Sequence, residues 1–355
     1  MKNTIIAVFS AMMILPVFGE VVVSVNEGES AREMIQKSID SLPKEGGSIF
    51  IPAGRYELDG MVHINRSNVT LRGETGTLLV LGDAVKQPNI LIGSDAAHPD
   101  PKKKIKHITI ANLELDGNKD RQDSEYHPTK PWLRNNTIDI RGVDDLRVEN
   151  VDCHHARSGG IVASWGCERI WIRGSSFHHN FFDGIALYTS DGIMVSDFYC
   201  YENKSAGLSL DNKLKNVTFT NGHIYKNNDC AIFARDCTAV NFRNLNIHDN
   251  GEHGAFLAHQ VYPEGHKKEN QIVPDSGMHD CSFTSCSFTN NGGHGVCFSS
   301  SSKMSSGNSI IGCLFSHNKE SAVSNVEEGF LVQSGNIEQK KGDYRPIKKT
   351  PAKGQ

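Results

Sequence analysis

The chain of 355 residues lacks several features that would assign it to a common functional class. Its formal net charge is only -4, which gives no reason to expect nucleic-acid binding. After the N-terminus, no stretch is apolar and long enough to span a bilayer. Neither a CxxC pair nor a GGxGxD repeat occurs, so no metal-binding spacing of these kinds is present. No cofactor is therefore indicated, and calcium binding is left open.

An apolar run at the N-terminus predicts export. Lys2 precedes the run, which ends at Pro16, and Gly19 is a small residue suited to signal-peptide cleavage. The run is too short for an ordinary membrane span, and the alternatives are a buried strand or a membrane anchor. We expect residues 1–19 to be a signal peptide and the mature protein to be periplasmic or extracellular, without membrane contact after cleavage.

A repeat of about two dozen residues organises the chain between positions 136 and 259. Asn180, Asn203, Asn227 and Asn250 recur at intervals of 23, 24 and 23 residues. Each block opens with Gly or Ala, continues with alternating inward apolar residues and closes at the asparagine. Stacked asparagines can bond to one another and to turn backbone. A period of this length without intervening helices predicts parallel strands stacked coil on coil, about 4.8 Å apart.

The nine cysteines are an odd number for an exported chain. Cys153, Cys200, Cys286 and Cys313 fall at inward positions of the repeat, so we expect them to be buried hydrophobic residues. Cys286 and Cys313 are expected on neighbouring coils, which leaves one disulfide open.

A short amphipathic helix precedes the coils. Ser30 can cap its N-terminus, and an apolar stripe follows at helical spacing, formed by Ala31, Ile35, Ile39 and Leu42. The helix runs into GGSIFIPAGRY at 46–56, and together they resemble the N-terminal cap of the pectin-lyase-like superfamily of right-handed parallel β-helices.

This resemblance implies an all-β fold. We expect a right-handed single-stranded parallel β-helix of roughly ten coils over residues 20–337, with the helix covering its first coil. The polar segment 338–355 carries several lysines and is predicted to be a disordered basic tail.

Alternation along the first strand of each block separates inward from outward residues. One outward column reads Asp139, Val162, Ala186, Ser209, Phe233 and Phe256, and the next reads Arg141, Ser164, Tyr188, Asp211, Arg235 and Ala258. The strand ends carry Trp165, Thr189, Asn212, Asp236 and His259. Aromatic faces stack on sugar rings, and arginine binds carboxylates or hydroxyls. This mixture predicts a groove for a sugar polymer.

Two excursions from the coils, residues 121–134 and 260–278, are candidates for the walls of that groove. We predict substrate binding by residues of the columns and of the first excursion, namely Arg141, Trp165, Phe233, Phe256 and Lys130. The alternative is an ordinary surface on which Asp211 and Arg235 form an ion pair of little energetic value.

Proton abstraction next to a uronate carboxylate needs a cation, a base and an acid. In this interpretation Arg235 holds the carboxylate, His259 is the base oriented by Asp236, and Tyr188 transfers the opposite proton. Glycoside hydrolysis would instead need two carboxylates roughly 5–9.5 Å apart, for which Asp211 and Asp236 are the candidate pair.

A second resemblance rests on LDGNKD at 115–120, on the long loop after it and on the coils that end in HN, EN, KN and DN. These features are similar to the catalytic module of secreted mannuronan C5-epimerases over most of residues 25–320. The epimerase Asp-Pro-His motif is replaced here by Val162-Ala163-Ser164. Gly293-His294-Gly295 echoes one polygalacturonase motif, but the other polygalacturonase elements are absent.

These features favour an exported, monomeric protein that acts on an acidic, uronate-containing polysaccharide by lyase or C5-epimerase chemistry. A glycoside hydrolase and a non-catalytic polysaccharide-binding or adhesive β-helix are the alternatives. A polysaccharide is the expected partner, and no nucleic-acid partner is expected.

Overall fold

Among the residues that the structure describes, the chain forms one parallel β-solenoid with a single short α-helix. The structure, a computed structural model, describes residues 20–299, 305–326, 330–339 and 344–345. The predicted signal peptide lies outside these residues, as does most of the predicted basic tail. The solenoid has about 13 turns, more than the predicted number of roughly ten. The shorter sheet has ten strands among the described residues, and the turns at both ends of the solenoid contribute no strand to it.

The shorter sheet is built from the first strand of each block. Its members are β4 (Val62–Ile64), β7 (Ile90–Gly93), β9 (Ile138–Arg141), β11 (Ile161–Ser164), β14 (Ile185–Tyr188), β16 (Leu208–Asp211), β18 (Ile232–Arg235), β21 (Ala255–Ala258), β25 (Val296–Phe298) and β28 (Val323–Ser324).

The longer sheet of 20 strands forms the rest of the solenoid wall. Its members are β1 (Glu20–Val22), β2 (Gly47–Ile51), β3 (Gly54–Leu58), β5 (Val69–Gly73), β6 (Thr77–Leu81), β8 (Ile105–Asp116), β10 (Val143–His154), β12 (Glu168–Arg173), β13 (Ser176–His178), β15 (Asp191–Tyr201), β17 (Leu214–Tyr225), β19 (Cys237–Arg243), β20 (Asn246–His248), β22 (Met278–His279), β23 (Ser282–Thr284), β24 (Ser287–Thr289), β26 (Asn308–Ile311), β27 (Leu314–Ser316), β29 (Leu331–Ser334) and β30 (Ile337–Glu338).

The predicted inward residues form the core. In the shorter sheet, Ile161, Ile185, Leu208 and Ile232 stack in register and are fully buried. The predicted turn column is equally buried and consists of Cys153, Phe177, Cys200, Ile224 and Ile247. The alternation of apolar residues therefore predicted correctly which face of these strands points into the core, because one face of every coil must be removed from water.

The asparagine column is a buried hydrogen-bonded ladder. The side-chain amide of Asn203 donates to Asn227 Oδ1 at 3.0 Å, and that of Asn227 donates to Asn250 Oδ1 at 3.0 Å. The ladder continues past the predicted column through Asn291 to Asn318. Each oxygen also accepts a backbone amide from the preceding coil, so the ladder satisfies turn groups that are shielded from water.

The helix spans Ala31–Asp40, and Ser30 Oγ accepts the Glu33 amide at 3.1 Å. The predicted apolar stripe is buried against the first coils, as a solenoid cap requires. Among the described residues, no helix combines the length and the apolar character needed to cross a bilayer.

All nine cysteines are buried free thiols. Cys286 and Cys313 lie on adjacent coils, as expected, but no disulfide joins them. At the C-terminal end, the Arg345 amide donates to Asn290 Oδ1 at 2.8 Å, so this part of the chain contacts a turn of the solenoid.

Candidate functional site

A groove of about 720 Å³ runs across the outer face of the shorter sheet. It crosses the coils of β9, β11, β14, β16 and β18. Its lining combines aromatic, acidic and basic side chains with small polar residues: Trp132, Arg134, Asn136, Asp139, Arg141, Ser158, Gly159, Val162, Ser164, Trp165, Phe182, Asp183, Ala186, Tyr188, Thr189, Ser209, Asp211, Asn212, Phe233 and Arg235.

The strand register confirms both predicted outward columns. Asp139 pairs with Val162 and Arg141 with Ser164, while Tyr188 pairs with Asp211 on the following coil. The predicted site residues that line the groove are Arg141, Trp165, Tyr188, Asp211, Phe233 and Arg235. The first excursion contributes Trp132 and Arg134 to the lining, whereas the second contributes no residue.

Asp211 and Arg235 form a two-pronged ion pair between neighbouring coils. Arg235 Nε lies 3.1 Å from Asp211 Oδ1 and 3.0 Å from Oδ2, and Nη2 also binds Oδ2. Asp211 is buried, whereas the Arg235 side chain is 39% exposed. The hydrogen bond to Asp211 raises the pKa of Arg235. Asp211 therefore positions a permanently charged guanidinium whose Nη1 is not used in this pair.

The guanidinium of Arg141 is used in hydrogen bonds within the protein. It is 3% exposed, and its guanidinium donates to the Trp132 carbonyl at 3.0 Å and to the Ala96 carbonyl at 2.6 Å. It also lies over the Trp165 ring, with Cζ 5.8 Å from the ring centroid. Arg141 thus fixes the loop that carries Trp132, and any effect on substrate would act mainly through the two tryptophans.

Asp139 is a buried carboxyl in the groove wall. Its side chain is 4% exposed. Burial raises the pKa of Asp139 to about 6, although the Arg141 charge and a hydrogen bond with Asn136 act in the opposite direction. At neutral pH this carboxyl is therefore close to its titration point and can serve as a proton donor or acceptor.

Tyr188 connects to a second carboxyl through a serine. Tyr188 Oη lies 3.3 Å from Ser209 Oγ, and burial raises the pKa of Tyr188 to about 12. Burial also raises the pKa of Asp183, while hydrogen bonds from Ser205 and Ser209 partly oppose that effect. The Ala206 amide donates to Asp183 Oδ1 at 3.0 Å. These contacts line up a phenol, a hydroxyl and a carboxylate along one wall of the groove.

Four predicted site residues do not line the groove. The groove ends at the coil of β18, so Phe256 and His259 are one coil beyond it. His259 Nδ1 lies 2.7 Å from Ser299 Oγ rather than against Asp236. Asp236 is buried near Lys213 and His279 at a corner of the solenoid. Lys130 forms an ion pair with Asp95.

The groove residues that sequence reasoning missed lie where the repeat gives little guidance. Asp183 is in the turn before β14, and Phe182 precedes it. Trp132 and Arg134 belong to the excursion, whose path the repeat does not set. Asp139 was placed in an outward column but was not predicted as a site residue. The signal that could have identified it is an aspartate on a strand whose other residues are Ile and Arg.

Comparisons with known proteins agree with this architecture. Residues 106–272 match the family model described as the right-handed beta helix region. No curated protein sequence matches the chain. Among solved structures, the A-module of a mannuronan C-5 epimerase from Azotobacter vinelandii is similar at a TM-score of 0.59 and 16% identity, covering 90% of this chain and 96% of that one.

Two further structures share the fold. The surface protein and adhesin PfbA of Streptococcus pneumoniae gives a TM-score of 0.60 at 12% identity over 90% of this chain and 91% of its own. The Dettilon tailspike protein gives 0.62 at 10% identity over 90% of this chain and 66% of its own. At these identities the likeness concerns the fold. The chain has the right-handed parallel β-helix fold.

Proposed function

We propose that the groove binds a uronate-containing polysaccharide and transfers a proton at the carbon next to the uronate carboxylate, which is lyase or C5-epimerase chemistry. The observation that carries the proposal is the position of Tyr188. Its hydroxyl lies 3.3 Å from Ser209 Oγ, and its backbone pairs with Asp211, the residue that holds Arg235. A proton-transferring hydroxyl and a guanidinium in one groove are what this chemistry needs.

The proton path follows from the pKa directions. Because the pKa of Tyr188 is raised to about 12, its phenol keeps its proton at neutral pH and cannot be a base alone. Asp183 has a raised pKa and is therefore a stronger proton acceptor than an ordinary aspartate. In the proposed step, the substrate proton passes to Tyr188 as the phenolic proton passes to Ser209 and the serine proton passes to Asp183. The electron pair of the broken C–H bond moves into the substrate carboxylate. It then either expels the neighbouring glycosidic oxygen, which takes a proton from water in the open groove, or takes a proton on the opposite face of the sugar ring.

The substrate carboxylate would be bound by donors in the same groove. Arg235 uses Nε and Nη2 on Asp211, which leaves Nη1 for a substrate oxygen. Asp139 in its protonated form can donate a hydrogen bond to a carboxylate. Arg134 stands exposed on the wall formed by the first excursion. This assignment replaces His259 and Asp236, which lie outside the groove.

The length and lining of the groove suit a chain of sugars. Five coils span ~19 Å at a coil spacing of about 4.8 Å. Aromatic rings of Trp132, Trp165, Phe182 and Phe233 line this length and offer apolar faces for sugar rings. The epimerase module with the same fold acts, by its name, on mannuronan, which supports a uronate polymer as the first substrate to test.

The experiment is to incubate the chain without residues 1–19, which we expect to be removed on export, with alginate, pectate, glycosaminoglycans and neutral glycans. A lyase produces the ultraviolet absorbance of an unsaturated uronate, whereas an epimerase changes the C5 configuration seen by product NMR. Each reaction is run with and without calcium, because the sequence leaves calcium binding open. The proposal fails if no acidic polymer is converted, or if Tyr188→Phe converts it at the wild-type rate.

Glycoside hydrolysis is the second candidate, and the raised pKa of Asp139 favours it, since a protonated carboxyl is the acid of such enzymes. The carboxyl pair would be Asp139 and Asp183, because Asp236 lies outside the groove and Asp211 is bound by Arg235. These residues lie two coils apart, which separates their backbones by ~9.6 Å along the axis. Inverting enzymes hold their two carboxyl groups about 6.5–9.5 Å apart, so the side chains would have to lean toward each other. New reducing ends of inverted configuration would identify this reaction.

A non-catalytic role is the remaining outcome of the same experiment. The structurally similar proteins include an adhesin and a tailspike. Binding to one polymer without any product would assign this role, and it would leave the aromatic lining as the functional part of the groove.

A further inference from the structure

Two consecutive histidines stand at a corner of the solenoid outside the groove. His154 ends β10 and pairs in register with Asp116, which ends β8. His155 follows in a left-handed conformation with φ of 52°, so its side chain turns back toward that of His154. The two Nδ1 atoms lie 2.7 Å apart, and the rings meet edge to face.

Asp116 completes a compact set of donor atoms. One ligand atom from each of Asp116, His154 and His155 lies within 4.8 Å of the other two. In a tetrahedral site with bonds of about 2.0–2.1 Å, ligand atoms are ~3.4 Å apart, so only small side-chain rotations separate this arrangement from coordination. His154 is 8% exposed, whereas Asp116 and His155 are half-buried, which leaves a path from solvent.

A carboxylate behind the first histidine fixes its orientation. His154 Nε2 lies 3.2 Å from Glu114 Oε1. When Nε2–H donates to this carboxylate, the Nδ1 lone pair of His154 points at His155, so the hydrogen between the two Nδ1 atoms belongs to His155. Histidine ligands commonly have such a carboxylate partner, because it fixes the tautomer and raises the basicity of the ligating nitrogen.

We infer that Asp116, His154 and His155 bind a divalent first-row transition-metal ion, with Zn²⁺ as the representative case. On binding, His155 moves its proton from Nδ1 to Nε2, so both Nδ1 lone pairs face the ion and no net proton is released. The three protein ligands leave a fourth position for water, as in open zinc sites. Two nitrogens and one carboxylate favour such an ion over calcium, which takes oxygen ligands.

The surrounding charges are mixed. Glu114 adds a second carboxylate near the ion, and Asp116 itself is a ligand. Lys119 opposes a cation, but its ammonium donates to the carbonyl of His179.

The group formed by His253, His294 and Cys297 provides a control elsewhere in the solenoid. His253 and His294 stack with ring centroids 5.2 Å apart, and Cys297 offers a third donor atom. Here the ring lone pairs are already used, because His253 Nδ1 accepts the His294 amide at 2.9 Å and His294 Nδ1 accepts the Ser321 amide at 3.2 Å. His294 Nε2 in turn lies 2.6 Å from a Glu320 oxygen. We expect no ion here.

The test is calorimetric titration of the full chain with Zn²⁺, together with the absorption spectrum of the Co²⁺ form. Wild-type protein should bind one ion at the histidine pair, with a Co²⁺ spectrum typical of tetrahedral nitrogen and oxygen ligands. His155→Asn should abolish this binding, and asparagine tolerates the left-handed backbone, so the fold is retained. Glu114→Gln should weaken it by about 10–100-fold, and His253→Asn should leave it unchanged.

Far-ultraviolet circular dichroism confirms that each variant is folded before titration. The inference is overturned if wild-type protein binds no Zn²⁺, if His155→Asn binds it as tightly as wild type, or if His253→Asn is the variant that loses binding. None of these results depends on polysaccharide activity.

Discussion

Replacing Asp139 by asparagine should stabilise the protein, and more strongly at high pH than at low pH. The pKa of Asp139 is raised from 3.8 to about 6 by burial. A difference of about two pKa units corresponds to about 3 kcal/mol of differential stability between the protonated and ionised forms. Asparagine has nearly the same shape and carries no charge, so Asp139→Asn removes this cost while keeping an oxygen that can accept from Asn136.

The direction of the stability change with pH, and the pH range over which it occurs, follow from the pKa values of Asp139 in the unfolded and the folded protein. Below pH 3.8, Asp139 is protonated in both the folded and the unfolded state and contributes nothing. Between 3.8 and about 6, the folded protein keeps the proton that the unfolded chain releases, so the free energy of unfolding falls as pH rises. Above this window the full cost is present. The stability gap between variant and wild type should be roughly 1.5 kcal/mol at pH 5 and about 3 kcal/mol at pH 8.

Urea denaturation followed by circular dichroism measures the gap at both pH values, provided that the slopes with urea agree. Asp275→Asn is the control, because this carboxyl is exposed and its replacement should give the same small effect at pH 5 and pH 8. The reasoning is refuted if the gap for Asp139→Asn does not widen with pH, or if the variant is the less stable protein at pH 8.

Three further outcomes are expected. Asn227→Ala should lower the free energy of unfolding, measured by urea denaturation, by about 3 kcal/mol, because it leaves buried partners in two coils without hydrogen bonds. Asn246 is half-buried, and Asn246→Ala should lower the same free energy by less than about 1 kcal/mol. Equal losses in the two variants would contradict the role of the ladder. Tyr188→Phe should abolish turnover yet keep polymer binding, measured by product NMR and affinity electrophoresis; unchanged turnover would exclude Tyr188 from the chemistry. Trp165→Ala should weaken binding of the polymer by about 1–2 kcal/mol in the same gel assay, and unchanged mobility would remove Trp165 from the binding surface.

The fold was predictable because every coil has to meet the same physical requirements. Residues such as Ile185 and Leu208 must face inward at each turn, and Asn203 and Asn227 must satisfy buried turn backbone, so sequence period and structure period coincide. The number of turns was underestimated because the end coils lack the block pattern that was counted.

The site was only partly predictable, because the repeat determines the direction of a side chain but not what surrounds it. The direction of Tyr188 followed from alternation, and so did its position beside Asp211. The extent of the groove depends on where loops leave the coils. That is why His259, which continues the strand-end column, falls beyond its end, while Asp183 enters it from a turn.

The groove and the histidine pair flank one short stretch of chain, yet the contacts there argue for two separate sites. His155 is three residues before Ser158, which lines the groove. Between them, the Ala156 amide donates to Asn180 Oδ1 at 3.0 Å, deep in the asparagine ladder. A shift at the histidines would have to break this buried bond before it reached the groove, and an unsatisfied buried group costs roughly 1–3 kcal/mol. We therefore expect the asparagine ladder to keep ion binding at the histidine pair independent of binding in the groove.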